Sequence, residues 1–173
     1  MGCNCNCNCK NNATQSSKKM DARGIIDMAV QIEKAGQKFY STLAIFEYND
    51  KIKSLLISLA EEESKHVEVF ENLGKILKDD LADGKPGSDD YLEYLDSIAK
   101  AHMFFNMDIE DADYKVDTAR ETLELALKFE RDSIMVFQEM KEVVGKAGKE
   151  VLDKLIDQER GHVRKLAHSF DLV

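Results

Sequence analysis

Six acidic and imidazole side chains stand where a helical sequence should be apolar. Glu63 and His66 are three residues apart, as are Glu159 and His162; single glutamates, Glu33 and Glu130, precede these pairs by 30 and 29 residues. Residues i and i+3 of a helix share one face within ~5 to 6 Å, so each Glu-x-x-His pair can offer a carboxylate oxygen and an imidazole nitrogen to one cation. Four carboxylates with two imidazoles form a ligand set for two iron or manganese ions, whereas thiolates would favour softer metals. The charges balance, since two divalent ions offset four carboxylates. Without a cation, burying these groups together would cost several kcal/mol each or force some to become neutral.

The elements that must position them follow from hydrophobic steps of three and four residues. The first helix reads Ile26, Ala29, Glu33, Gly36, Tyr40, Leu43, and the second Ile52, Leu56, Leu59, Glu63, His66, Phe70, Leu73, Leu77. The third reads Ala119, Leu123, Ala126, Glu130, Ser133, Phe137, Met140, Val144, and the fourth Leu152, Leu155, Glu159, His162, Leu166, Ser169. The six polar residues interrupt these seams at mid-helix, with apolar residues one turn away on both sides. Glu33 and Glu130 are 97 residues apart, and Glu63 and Glu159, like His66 and His162, are 96 apart. The chain therefore reads as two related helical hairpins.

A short connection at Asn49 and Asp50 makes the first two helices antiparallel neighbours. After the second comes the breaker Asp83-Gly84-Lys85-Pro86-Gly87, then a shorter helix capped by Ser88 and running from about Asp89 to Phe105. A polar stretch, Asn106 to Asp117, leads to a capping box of Thr118 and Glu121. Gly145 and Gly148 are expected to mark the last turn. The expected fold is all-α: a four-helix bundle with a long, helix-containing crossover between its second and third helices.

Composition agrees. One Pro and nine Gly in 173 residues are too few for a sandwich or barrel. The first 20 residues carry three lysines and no acid, so the remainder sums to -12 against -9 for the whole chain. An acidic body without a basic stripe excludes nucleic acid and anionic membrane as main partners. All four cysteines, Cys3, Cys5, Cys7 and Cys9, fall in the first nine residues. Residues 1 to 20 are read as a flexible tail, with its Cys-Asn repeat either a soft-metal appendage or dispensable, and 21 to 173 as the bundle domain. With no long apolar run and no cysteine in the body, the expected location is the cytoplasm.

The motifs Gln31-Ile32-Glu33-Lys34 with Phe39-Tyr40, Ala60-Glu61-Glu62-Glu63-Ser64-Lys65-His66, Lys128-Phe129-Glu130-Arg131-Asp132-Ser133 and Asp157-Gln158-Glu159-Arg160-Gly161-His162 resemble the rubrerythrin branch of the ferritin-like superfamily. The likeness covers about residues 22 to 171. It implies a non-haem di-iron centre with Glu63 and Glu159 bridging, Glu33 and Glu130 terminal, and His66 and His162 as imidazole ligands. It implies that Tyr40 hydrogen-bonds a ligand carboxylate and takes part in catalysis, and that the protein reduces hydrogen peroxide or dioxygen as a homodimer or larger homo-oligomer. Manganese is the alternative metal, and ferroxidation with iron storage or handling the alternative function.

Two departures from the family are visible. Ser133 stands where rubrerythrins carry a further glutamate, which implies a more symmetrical site. No rubredoxin-like Cys-x-x-Cys pair is present, so electrons are expected from a separate donor such as a rubredoxin. Of the remaining residues, His102 and His168 read as surface or outer histidines, while Tyr91, Tyr94, Phe104 and Phe105 read as the packing face of the crossover helix. Phe46 and Tyr48 read as packing the first turn.

Overall fold

A computed structural model describes residues 22–80, 88–102 and 116–173. Five α-helices follow in order: α1 Ala22–Phe46, α2 Asp50–Asp80, α3 Asp89–Ala101, α4 Ala119–Met140 and α5 Lys146–Ser169. A 3-10 turn, Phe170–Leu172, follows α5. Among the described residues there is no strand. The expected tail with Cys3, Cys5, Cys7 and Cys9, together with Phe104, Phe105 and most of the polar stretch before Thr118, lies outside the described residues.

Local sequence accounts for the helix starts. Asn49 caps α2, its Oδ1 accepting from the Lys51 and Ile52 amides at 3.0 and 3.3 Å, while Glu47 Oε1 accepts from the Asn49 amide at 2.8 Å. Ser88 Oγ accepts from the Tyr91 amide at 3.3 Å and starts α3. The capping box of α4 closes in both directions: Thr118 Oγ1 accepts from Glu121 N at 3.2 Å, and Glu121 Oε2 accepts from Thr118 N at 3.1 Å. Each such cap contributes about 1 kcal/mol by satisfying an amide the helix cannot.

The helices form a ring in which α1 packs on α2, α2 on α5, α5 on α4 and α4 on α1, with α3 against α4. The described seam residues point into this ring, and Phe39, Phe70, Phe129, Phe137, Ile52, Leu56 and Leu59 are almost wholly excluded from solvent. Each contributes roughly 1.5 to 3 kcal/mol by leaving water. That apolar frame fixes the rotation of every helix about its axis, and so decides which way the polar seam residues face.

Four expectations need correction. Gly148 lies inside α5, where an added Cβ would sit 2.9 Å from Val144 Cβ. Helix α4 ends at Met140, so Val143 and Val144 fill the core from the turn. Phe46 and Tyr48 are 66% and 98% exposed, because the polar Glu47 and Asn49 bonds close that turn in their place. The buried face of α3 is Leu92, Leu95 and Ala99. Tyr94 is exposed, and Tyr91 is half-buried with its hydroxyl donating to Glu139 Oε2 at 2.5 Å.

Candidate metal centre

All six seam residues converge at mid-bundle and are buried to within 2% of complete exclusion. They fall into two overlapping groups: Glu33, Glu63, His66 and Glu159 in one, and Glu63, Glu130, Glu159 and His162 in the other. Within each group one ligand atom per residue lies within 4.8 Å of all the others. Glu63 and Glu159 belong to both, so they stand between the two positions while Glu33 and Glu130 lie at the outer sides.

Helical pitch places each pair. His66 Nδ1 lies 2.8 Å from Glu159 Oε1, 3.2 Å from Glu33 Oε2 and 3.6 Å from Glu63 Oε2. His162 Nδ1 lies 2.9 Å from Glu159 Oε2, 3.2 Å from Glu63 Oε1 and 3.3 Å from Glu130 Oε1. The imidazole rings stack, 16° from parallel with centroids 5.5 Å apart. Small residues flank the terminal glutamates on both sides: Ala29 and Gly36 on α1, Ala126 and Ser133 on α4. A Cβ on Gly36 would meet the Phe129 ring at 2.9 Å and Glu63 Cγ at 3.2 Å, so α1 can approach the centre this closely only with glycine there.

The electrostatics show frustration. Burial, then repulsion from Glu63 and Glu159, raises the pKa of Glu33 well above the carboxylate range. Burial and Glu159 raise that of Glu130 in the same way. For Glu63 the upward push of burial is outweighed by hydrogen bonds from Glu33, His162 and His66, which bring it down to about 2. Glu159 is likewise lowered, by His162 and His66 against burial. Burial would depress both imidazoles, but the surrounding carboxylates raise His66 to about 12 and His162 further still.

Even so, Glu33 Oε1, Glu63 Oε1, Glu130 Oε2, both Glu159 oxygens and His162 Nδ1 are buried without an aligned hydrogen-bond partner among the described residues. Buried polar atoms are normally satisfied, and six orphans at one level of one core is exceptional. Carboxylate oxygens and imidazole nitrogens converging from four helices fit divalent cations, which would satisfy these atoms and remove the repulsion together.

Around the six lie residues that hold them. Tyr40, fully buried, donates its hydroxyl to Glu130 Oε1 in a very short contact, and burial above all raises its pKa so that it keeps its proton. Glu62 was not among the expected site residues. Its Oε2 accepts from His162 Nε2 at 2.9 Å, and Lys165 Nζ donates to both its oxygens at 2.7 Å. Although partial burial raises the pKa of Glu62, Lys165 and His162 lower it overall.

His102 is not on the surface. It is 3% exposed, its ring lies edge-on to Phe129, and its Nε2 is 3.0 Å from Ser133 Oγ. Ser133 Oγ donates to the Phe129 carbonyl at 3.1 Å, so Nε2 carries the imidazole proton and donates to Ser133. Burial, reinforced by Lys128, lowers His102 to about 4 and keeps it neutral. His168, by contrast, is exposed.

Fold and site together define a ferritin-like helical bundle built around a buried carboxylate and histidine cluster. The chain belongs to the Rubrerythrin family, whose sequence model matches residues 24–170. In structure it is similar to a chain from Thermotoga maritima described as a ferritin-like diiron-carboxylate protein, with 26% identity and a TM-score of 0.61 over 87% of this chain and 95% of that one. No curated protein matches it.

Proposed function

We propose that this protein is a non-haem di-iron oxidoreductase that reduces hydrogen peroxide or dioxygen with electrons from a separate donor such as a rubredoxin. The observation that supports this most is the pair of overlapping four-residue groups sharing Glu63 and Glu159, since carboxylates from four helices, two of them within reach of both cation positions, match the donor set of a di-iron or di-manganese bundle site. Iron bound there supplies electrons and Lewis acidity to the oxidant; manganese fits the same donor set.

The chain's own residues do the rest. Glu33 and Glu130 would each hold one ion, Glu63 and Glu159 would serve both, and His66 and His162 would each offer an imidazole nitrogen. Tyr40 fixes the orientation of Glu130 through its hydroxyl, and retains a proton at that oxygen beside the reacting centre. The Phe39 and Phe129 rings, 5.3 Å apart, and Phe70 and Phe137, also 5.3 Å apart, exclude water around the cluster. Exclusion strengthens each electrostatic contact inside it.

Stopped-flow oxidation of the diferrous protein tests the reading. Peroxide should oxidise it faster than dioxygen, with repeated turnover when reductant is supplied; equal or slower reaction with peroxide and no turnover would remove the peroxidase assignment.

One observation favours the alternative of ferroxidation and iron handling. Ser133 occupies the place of a further carboxylate and is committed to His102 and the Phe129 carbonyl. Storage needs a hollow shell, so a particle of dimeric mass in sedimentation would exclude that branch. The primary reading includes a homodimer or larger homo-oligomer, which the same measurement checks. Among the described residues no helix is long and apolar enough to cross a membrane; the cytoplasmic location and a role with peroxide stress are part of the proposal.

A further inference from the structure

The internal repeat sets each residue of one hairpin against a counterpart in the other, and the two metal positions can be compared on that basis. The inner residues match throughout: Ala29 with Ala126, Glu33 with Glu130, Glu63 with Glu159, His66 with His162. The residues behind them do not. Tyr40, whose hydroxyl holds Glu130, has Phe137 as its counterpart, and a phenyl ring offers Glu33 no hydroxyl. Glu62, which holds His162 Nε2, has Gln158 as its counterpart, and Lys165, which holds Glu62, has Val69. Gln158 is exposed, and among the described residues no carboxylate bonds the outer nitrogen of His66.

All three supporting groups therefore converge on the ligands of one position. Glu62 fixes the His162 ring so that Nε2 keeps its hydrogen and Nδ1 faces the cluster. A carboxylate behind a ligating imidazole raises its basicity and locks its orientation, and loss of such a partner typically costs 10- to 100-fold in metal affinity. Lys165 anchors Glu62 at both oxygens. Tyr40 removes the freedom of Glu130 to swing away.

Resting on the metal reading above, we propose that the two positions are inequivalent: the one bounded by Glu63, Glu130, Glu159 and His162 binds a divalent cation tightly and fills first, whereas the His66 position is the weaker, exchangeable one. Glu62, Tyr40 and Lys165 are positioning residues for the first. The apparent symmetry of the ligand set conceals this difference because it lies entirely in the residues behind the ligands.

Anaerobic titration of the metal-free protein with cobalt(II), followed by calorimetry and by the cobalt visible absorption, tests it. The expected result is two steps whose affinities differ by at least ~10-fold, the tight step lost in His162→Ala and the weak one in His66→Ala. Glu62→Gln should weaken the tight step alone by ~10- to 100-fold, leaving helical circular dichroism unchanged. Conversely, the double substitution Gln158→Glu with Val69→Lys should strengthen the weak step. Two equal steps in the unaltered protein, or Glu62→Gln weakening both steps alike or neither, would overturn the inference while leaving the metal centre standing. Absence of any cobalt binding would overturn the metal reading itself.

Discussion

Metal loading of this protein should release about four protons, and the number follows from the electrostatics of the core. Burial and the neighbouring carboxylates raise Glu33 and Glu130 well above the carboxylate range, which favours their neutral forms in the metal-free cluster. The downward shifts of Glu63 and Glu159 favour the carboxylate, and the upward shifts of His66 and His162 favour imidazolium. Two negative and two positive charges leave the cluster neutral. With two divalent ions bound, all four carboxylates must be ionised and both imidazoles neutral, which is also neutral overall. Two cations therefore replace four protons, and the product of the two binding constants should rise about 10,000-fold per pH unit, equivalent to about 5 kcal/mol. Calorimetric titration with manganese(II) in two buffers of different ionisation enthalpy counts the protons directly. Release of two or fewer would show that at least two of these four groups have already lost their protons in the metal-free core, and would refute the charge-compensation argument.

Three substitutions probe the residues around the cluster. Tyr40→Phe leaves the ring packed against Phe129 but strips the bond to Glu130 Oε1; loss of about 1 to 3 kcal/mol in metal-free urea unfolding is expected, with weaker binding at the tighter position. Gly36→Ala inserts a methyl 2.9 Å from the Phe129 ring and 3.2 Å from Glu63 Cγ, so it should cost about 1 to 3 kcal/mol by overpacking and lower metal affinity while helix content by circular dichroism stays unchanged. Ser133→Ala removes the acceptor of the His102 Nε2 proton; a buried donor left without a partner should cost about 1 to 3 kcal/mol in the same unfolding assay.

The convergence of the six cluster residues was legible because their spacing is local and their setting anomalous. Carboxylates and histidines i, i+3 apart on an otherwise apolar stripe contradict the stripe unless something compensates them, and the repeat removed coincidence. The Thr118 and Glu121 capping box was legible for the same reason, since its chemistry spans three residues. Glu62 was not. It sits in the run Glu61-Glu62-Glu63, where two of three acids look like a solvated face, and its partners His162 and Lys165 are a hundred or more residues away. The one signal was the mismatch with Gln158 across the repeat. His102 and Ser133 pair across 31 residues and two helices, which no periodicity encodes. Ser133, read as a loss that makes the site more symmetrical, proves to be a hydrogen-bonding partner, and the surroundings of the site are unsymmetrical. The first turn misled because Phe46 and Tyr48 are apolar by type, while the chain closes that turn with Glu47 and Asn49.

On the proposed reading, six residues from four helices hold two metal ions. Metal content after anaerobic iron loading and desalting tests it most directly. About two iron ions per chain are expected in the unaltered protein and fewer than one when Glu63 or Glu159, each shared by both positions, is changed to Ala. Well under one ion per chain in the unaltered protein, or full loading in both variants, would contradict it.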